Sequence, residues 1–144
     1  MSKPASRWFP SNSKKAKELI KEVQMKGYKI SPDDVVGILK DRNGRIIWLE
    51  QGHLGKNPSG LAHILNEHGG EFESQGIPKG YVSYFVLNAV AEGNMIGYQG
   101  KGSHPREVYE YHYGGKKYLV AVTVGSNGYI VGANLTDESK IWRK

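Results

Sequence analysis

The chain has 144 residues, 20 Lys and Arg against 14 Asp and Glu, no cysteine and a formal charge of +6. That length suits one domain with a core of its own, and without cysteine neither disulfides nor thiolate metal sites can form. No apolar run approaches the about 20 residues of a membrane span, and no charged-then-apolar leader opens the chain, so any export signal is expected elsewhere, on a longer parent chain. The charge is unevenly placed. Residues 1–30 carry eight basic and two acidic residues, residues 31–98 sum to −3 and residues 99–144 to +3. A basic face for nucleic acid would therefore combine the N-terminal segment with the C-terminal strands, and overall charge says little about the body of the chain.

Residues 1–13 read as an irregular lead-in with two prolines. Ser13 then caps a helix over residues 14–26, with Ala16, Leu19, Ile20 and Val23 as its apolar stripe and Gly27 as its stop. The opposite face is lysine-rich, either a solvated face or a phosphate-contacting arm. Residues 1–30 together read as a basic lead-in or linker, and residues 31–144 as the functional domain. Residues 35–39 and 45–50 are β-branched and apolar, and the Asn43-Gly44 turn between them predicts a hairpin. Residues 51–58 are loop, containing His53 and Lys56.

The stretch Gly60-Leu61-Ala62-His63-Ile64-Leu65-Asn66-Glu67-His68-Gly69-Gly70 is the one place where two of the five histidines lie close together. Ser59 is placed to cap it and Gly69-Gly70 to end it. Leu61, Ile64 and Leu65 recur at helical spacing, and His63 shares a face with Glu67. His68 is turned about 140° from His63 round the helix axis. These histidines either cap and pack a short helix or carry chemistry. A loop over residues 71–80 leads to a buried helix over residues 81–92, closed by Gly93.

From Asn94 onward the pattern is strand. Strands are expected over residues 94–99, 106–113, 116–124 and 129–134. Gly100-Lys101-Gly102-Ser103-His104-Pro105, Gly114-Gly115 and Gly125-Ser126-Asn127-Gly128 are the turns. Alternation over residues 116–124 turns Tyr118, Val120, Val122 and Val124 inward. Leu119, Ala121 and Thr123 are left on a face open to a ligand. Tyr109, Tyr111 and Tyr113 share a face that is core, cross-strand cover or a stacking platform for bases. The architecture is α+β: N-terminal helices and a hairpin, then an antiparallel sheet of about four strands.

Metal chemistry finds little footing. There is no histidine pair at i,i+4, no acidic calcium loop and no cysteine. Gly100-Lys101-Gly102-Ser103 lacks the spacing of a phosphate loop and precedes a strand, and no nucleophile elbow is present. No metal or cofactor is expected. Metal-free RNA cleavage suits the residues better. It needs a base for the 2′-hydroxyl, a cation or donor for the phosphorane and an acid for the leaving 5′-oxygen. Histidine serves as base or acid near neutral pH, and an arginine fork grips phosphate oxygens. His63, His68, Arg106, Tyr109 and Thr123 supply that set if the histidine helix packs beside the open sheet face.

Several stretches also resemble a known group. They are Ser31-Pro32-Asp33-Asp34-Val35-Val36-Gly37-Ile38, Ile47-Trp48-Leu49-Glu50-Gln51-Gly52, Gly60-Leu61-Ala62-His63-Ile64 with His68-Gly69, Gly97-Tyr98-Gln99-Gly100, and residues 122–134. In this order, over residues 31–136, they resemble the C-terminal toxin domains of bacterial polymorphic and contact-dependent growth inhibition systems. Those domains belong to the barnase–EndoU–colicin–RelE (BECR) class of nucleases. The resemblance implies helices leading into an antiparallel sheet whose face carries an RNA site. It implies a metal-independent ribonuclease, often acting on tRNA, exported within a larger effector, active in the target-cell cytoplasm and neutralised by a cognate immunity protein. By motif position it points to His63, His68, Arg106, Tyr109, Thr123 and Asn134. EndoU-type sites draw their two histidines from separate segments, so His63 with Glu67 or with a tyrosine is an open alternative to the His63–His68 pair.

The expectation is thus an endoribonuclease. Arg106 holds the scissile phosphate, His63 or His68 moves protons, and Tyr109 and Thr123 donate to phosphate oxygens. Lys101, Lys116, Tyr98 and Asn134 bind the RNA strand. The rivals are a non-catalytic RNA-binding module and a protein-interaction domain.

Overall fold

The computed structural model describes residues 7–143, an α+β arrangement of three α-helices, a three-stranded sheet and a four-stranded sheet, both antiparallel. The first layer is built by β1 (Trp8–Pro10), α1 (Lys14–Met25), β2 (Val35–Lys40) and β3 (Ile46–Glu50). The Ser13 side chain accepts from the Ala16 amide at 3.1 Å, as an N-cap should. Ala16, Leu19, Ile20 and Val23 of α1 pack on Ile38, Ile46 and Trp48. The alternate residues Leu39, Ile47 and Leu49 face the main core instead. The small sheet is therefore buried on both sides, which explains why its strands read as unbroken apolar runs. β1 pairs with β2, so residues 8–25, read from sequence as part of a lead-in, contribute a strand and a helix to this layer. Residues 1–6 of that lead-in lie outside the described residues. At the β2–β3 turn the Asp41 carboxylate accepts from the amides of Asn43 and Arg45, both at 2.9 Å.

The second layer contains α2 (Gly60–Ser74), α3 (Val82–Glu92) and strands β4 (Asn94–Gln99), β5 (Arg106–Tyr113), β6 (Lys116–Val124) and β7 (Ile130–Thr136), in the order β4-β5-β6-β7. Its inner face carries Tyr109, Tyr118, Val120, Val122 and Val124, packed on Phe72, Phe85 and Val86 of the helices. The tyrosines of β5 are thus core and cover: Tyr109 is buried, and Tyr111 and Tyr113 pack edge-on against Phe85. The two sheets meet where Trp48 N donates to Gly128 O at 3.0 Å. Gly128 has φ +104°, and a Cβ there would lie 2.0 Å from Ile46 O, so only glycine fits this junction.

Three expectations are corrected. First, α2 does not stop at Gly69-Gly70 but runs on to Ser74. Phe72 lies beyond the glycines and is fully buried. Burying it is worth about 1.5–3 kcal/mol, enough to offset two helical glycines at about 0.5–1 kcal/mol each. Second, Ser59 precedes α2 without capping it. Its hydroxyl shares a 2.9 Å hydrogen bond with the Tyr129 hydroxyl, while the Ala62 amide is satisfied by Gln51 O at 2.8 Å. Third, the outer face of the second sheet is only partly open. Val108, Leu119 and Ala121 are buried there beneath Ile96 and Ile141. The C-terminal segment crosses this face from the end of β7 to the free edge of β4, where Trp142 pairs with Tyr98 through two backbone hydrogen bonds of 2.8 and 2.9 Å.

Candidate active site

One open part of the outer face is a row of residues across the sheet. Thr123 alternates away from Val122 and Val124, which face the core, and pairs with Gly132 of β7. Glu107 of β5 pairs with Val122, so one residue further along Arg106 comes level with Thr123. Gln99 of β4 pairs with Arg106. Gln99, Arg106, Thr123 and Gly132 therefore share one line. With strands about 4.8 Å apart, the backbones of Arg106 and Gly132 are roughly 10 Å from each other.

His63 of α2 closes the row. Its ring lies beside position 132: a Cβ on Gly132 would be in ordinary contact with it, 3.4 Å from Cδ2 and 3.7 Å from Nε2. Gly132 has an ordinary strand backbone, and a larger side chain than alanine there would press on the ring. The His63 Nδ1 atom is buried without a hydrogen-bond partner, as is Gln99 Oε1. No hydrogen bond joins His63 to Glu67, which is exposed on the next turn. A buried imidazole nitrogen without a hydrogen bond costs stability. The row presents an exposed guanidinium, a half-buried hydroxyl and an imidazole along one side of a sheet. Such a set can bind a tetrahedral anion and exchange a proton beside it.

Further along β6 and β7 from the row is a cleft of about 660 Å³ between α2, β6, β7 and residues 137–140. His68, Lys116 and Asn134 line it. His68 thus lines the cleft and His63 does not, the two being about 7.5 Å apart along the helix axis. His68 Nδ1 lies 3.4 Å from Glu71 Oε2. Lys116 Nζ donates to Gln75 Oε1 at 3.0 Å and stands 5.0 Å above the Tyr118 ring. Asn134 Nδ2 donates to Leu135 O at 3.1 Å.

The remaining expected residues do not join this group. Tyr109 is three residues from Arg106, and on a strand that spacing reverses the face. Its side chain is buried on the inner side, where its hydroxyl donates to Glu107 Oε1 at 2.7 Å. Tyr98 lies on β4 at the outer edge of the sheet, its backbone paired with Trp142 and its ring stacked on that of Trp142, 5.0 Å between centroids. Lys101 is exposed on the loop that leads into Arg106. Among the described residues, no group of three or more His, Asp or Glu side chains is placed to hold a metal ion.

Sequence reading missed the network that supports β5 from below. Arg45, from the β2–β3 turn, donates both terminal nitrogens to the Glu107 carboxylate at 2.7 Å each and its Nε to Asp41 at 3.2 Å. The hydrogen bonds to Glu107 hold the Arg45 guanidinium above its already high ordinary pKa. Burial, then the neighbouring Glu107, pushes the Tyr109 hydroxyl well above its ordinary value. Arg45 and Glu107 are 62 residues apart, and no local pattern links them. Compared with known proteins, the chain matches no family model and none of the curated proteins.

Proposed function

We propose that the chain is a metal-independent endoribonuclease whose reaction centre is the row of His63, Thr123 and Arg106. What supports the reading is that row: three groups suited to phosphate transesterification, far apart in sequence, lie side by side on an open strip of a partly covered sheet face. His63 takes the proton of the 2′-hydroxyl. The 2′-oxygen attacks phosphorus, and the P–O5′ bond breaks. The products are a 2′,3′-cyclic phosphate and a 5′-hydroxyl. Arg106 binds two non-bridging oxygens as a fork, and the Thr123 hydroxyl donates to the charge that builds on them. The leaving 5′-oxygen takes its proton from His68 where the substrate spans row and cleft together, and from solvent water otherwise. On the same reading, which rests on the ordered motifs over residues 31–136, the chain is the toxin end of a larger exported effector. It acts on RNA, tRNA foremost, in the target-cell cytoplasm and is held in check by an immunity protein.

The test is single-turnover cleavage of a defined tRNA in EDTA. His63→Ala and Arg106→Ala should each lower the rate about 10²-fold or more, and Thr123→Val about tenfold. Folded variants that cut at the wild-type rate would sink the assignment.

A second reading, RNA binding without cleavage, is favoured by one other feature. Trp8, Tyr84, Tyr81 and Tyr113 form a ladder of rings with successive centroids 5.6, 5.6 and 5.2 Å apart. Tyr84 is 48 % exposed, so the ladder reaches solvent and could stack bases. That reading predicts salt-sensitive binding and no product.

A further inference from the structure

A pocket of about 380 Å³ lies between the segment after α1, the end of β3 and the turn before β7, and it shares no residue with the row. Glu50 ends β3 and follows Ile46 and Trp48 on the α1 side of the small sheet by strand alternation. It is a carboxylate only 7 % exposed. Its Oε2 accepts from Trp48 Nε1 at 2.9 Å and from the Ser31 amide at 3.2 Å. Among the described residues nothing donates to its Oε1, and that oxygen is not sealed off from the pocket. The basic side chains of the lining, Lys29 and His53, are exposed, and neither forms an ion pair among the described residues; His53 turns Nε2 to Lys56 O at 3.3 Å. Holding Trp48 and Ser31 occupies one oxygen, and a buried charge left half used is costly without a partner. Further acceptors line the same space. Asp34 accepts from the Gly52 amide through Oδ2 at 3.2 Å and keeps Oδ1. Ser59 and Tyr129 share a hydrogen bond between hydroxyls at 2.9 Å. Burial, and beyond it the charges of Glu50 and Asp34, hold the Tyr129 hydroxyl above its ordinary pKa, so this hydroxyl and both carboxylates are near enough to feel one another.

Such a lining repels phosphate and suits donors that carry positive charge. A guanidinium has five N–H donors in one plane and no acceptor. It is also more weakly hydrated than an ammonium, so it enters a half-closed pocket at lower cost. Its several donors match acceptors that are spread over the lining rather than gathered at one point. The volume is within the range of small-molecule sites. We propose that this pocket binds a guanidinium group, with Glu50 Oε1 as its anchor, Asp34 adding negative charge and the Ser59–Tyr129 pair accepting from its remaining N–H groups. The group belongs either to a free guanidino compound or to an arginine side chain of a polypeptide, and the chemistry at the pocket is the same for both. The site stands apart from the row, and its occupation does not depend on the ribonuclease reading.

The experiment titrates the wild-type chain with methylguanidinium and with methylammonium. It follows the indole NMR signal of Trp48, which shares Glu50 with the pocket, beside the Ser31 and Gly52 amides. Saturable shifts are expected with methylguanidinium, and binding about tenfold weaker with methylammonium. Agmatine and N-acetylarginine amide then separate the sources: tighter binding of the first assigns the site to a free guanidino compound, tighter binding of the second to a polypeptide arginine. Glu50→Gln keeps the size of the side chain and an acceptor for Trp48, and should weaken methylguanidinium about tenfold or more. Lys29→Ala changes an exposed position and should tighten it about twofold by removing a like charge. No saturable shift at Trp48, methylammonium binding as tightly as methylguanidinium, or unchanged affinity in a folded Glu50→Gln protein would overturn the proposal. Should Glu50→Gln not fold, an affinity unchanged in Lys29→Ala would decide against it. Guanosine monophosphate offers a similar donor edge without the positive charge. Its binding in preference to methylguanidinium would make the pocket a base site and overturn the proposal as well.

Discussion

Filling the space above Gly132 separates the seat of His63 from every other feature of the fold. In Gly132→Ala the new Cβ lies 3.4 Å from Cδ2 and 3.7 Å from Nε2 of His63, within ordinary contact. The ring needs to move by a few tenths of an ångström at most, and cleavage should stay within about threefold of wild type. Gly132→Val adds γ-carbons one bond, about 1.5 Å, further out. Carbon atoms pack best about 3.5–4.0 Å apart, so the imidazole must retreat by roughly 1 Å. A misplacement of about 1 Å can cost about 10²-fold in rate. Valine also favours strand structure over glycine, within about 1 kcal/mol, so the rate loss should come without loss of fold. Single-turnover RNA cleavage beside a thermal melt gives both quantities. A folded Gly132→Val protein cleaving within about threefold of wild type would refute a catalytic His63 seated on this glycine.

Other perturbations test the support and cover of the site. Glu107→Gln removes the charge that Arg45 grips; the Arg45 and Glu107 side chains are 40 % and 12 % exposed. The cost should lie between surface and buried pairs, about 1–2 kcal/mol, or a melting point lower by roughly 3–8 °C; an unchanged melt would show that the pair contributes nothing. The raised pKa of Tyr109 has a defined sign. Below pH 10 the folded and unfolded chains both keep the proton; above it the unfolded chain loses a proton that the folded chain retains, so stability falls as pH rises. In urea titrations from pH 8 to 11, Tyr109→Phe should show a shallower alkaline decline, and an identical slope would count against the buried hydroxyl. Ile141→Asp places a charge against Val108, Leu119 and Ala121. It should release the C-terminal segment, cost about 1–3 kcal/mol and speed proteolysis near the C-terminus, all visible in one limited digest with a parallel melt.

Local chemistry carried much of the architecture into the sequence. Asn43-Gly44 and Gly114-Gly115 stand at hairpin turns, with φ of +59° and +78° in the second, and the Ser13 cap and Gly27 stop bound the first helix as expected. What was illegible depends on distant partners. The glycines at 69 and 70 look like a stop because nothing nearby shows that Phe72 fills the core against Phe85. Ile141 and Trp142 look like stray apolar residues in a polar tail, yet they cover the strands around Tyr98 and Ala121. For the site, strand alternation set Thr123 on the outer face, while Arg106 was chosen by residue type and motif position. The place of His63 depends on α2 lying along β7, which alternation within one strand cannot reveal. Tyr109 was grouped with Arg106 by chemistry although their spacing sets them on opposite faces.

The most direct measurement is to map the ends of RNA fragments after incubating total cellular RNA with the protein in EDTA, beside His63→Ala. Metal-free transesterification at the row predicts discrete fragments ending in 2′,3′-cyclic phosphate and starting with 5′-hydroxyl, and their loss in the variant. Intact RNA with the wild-type protein, or the same fragments from a folded His63→Ala protein, would contradict it.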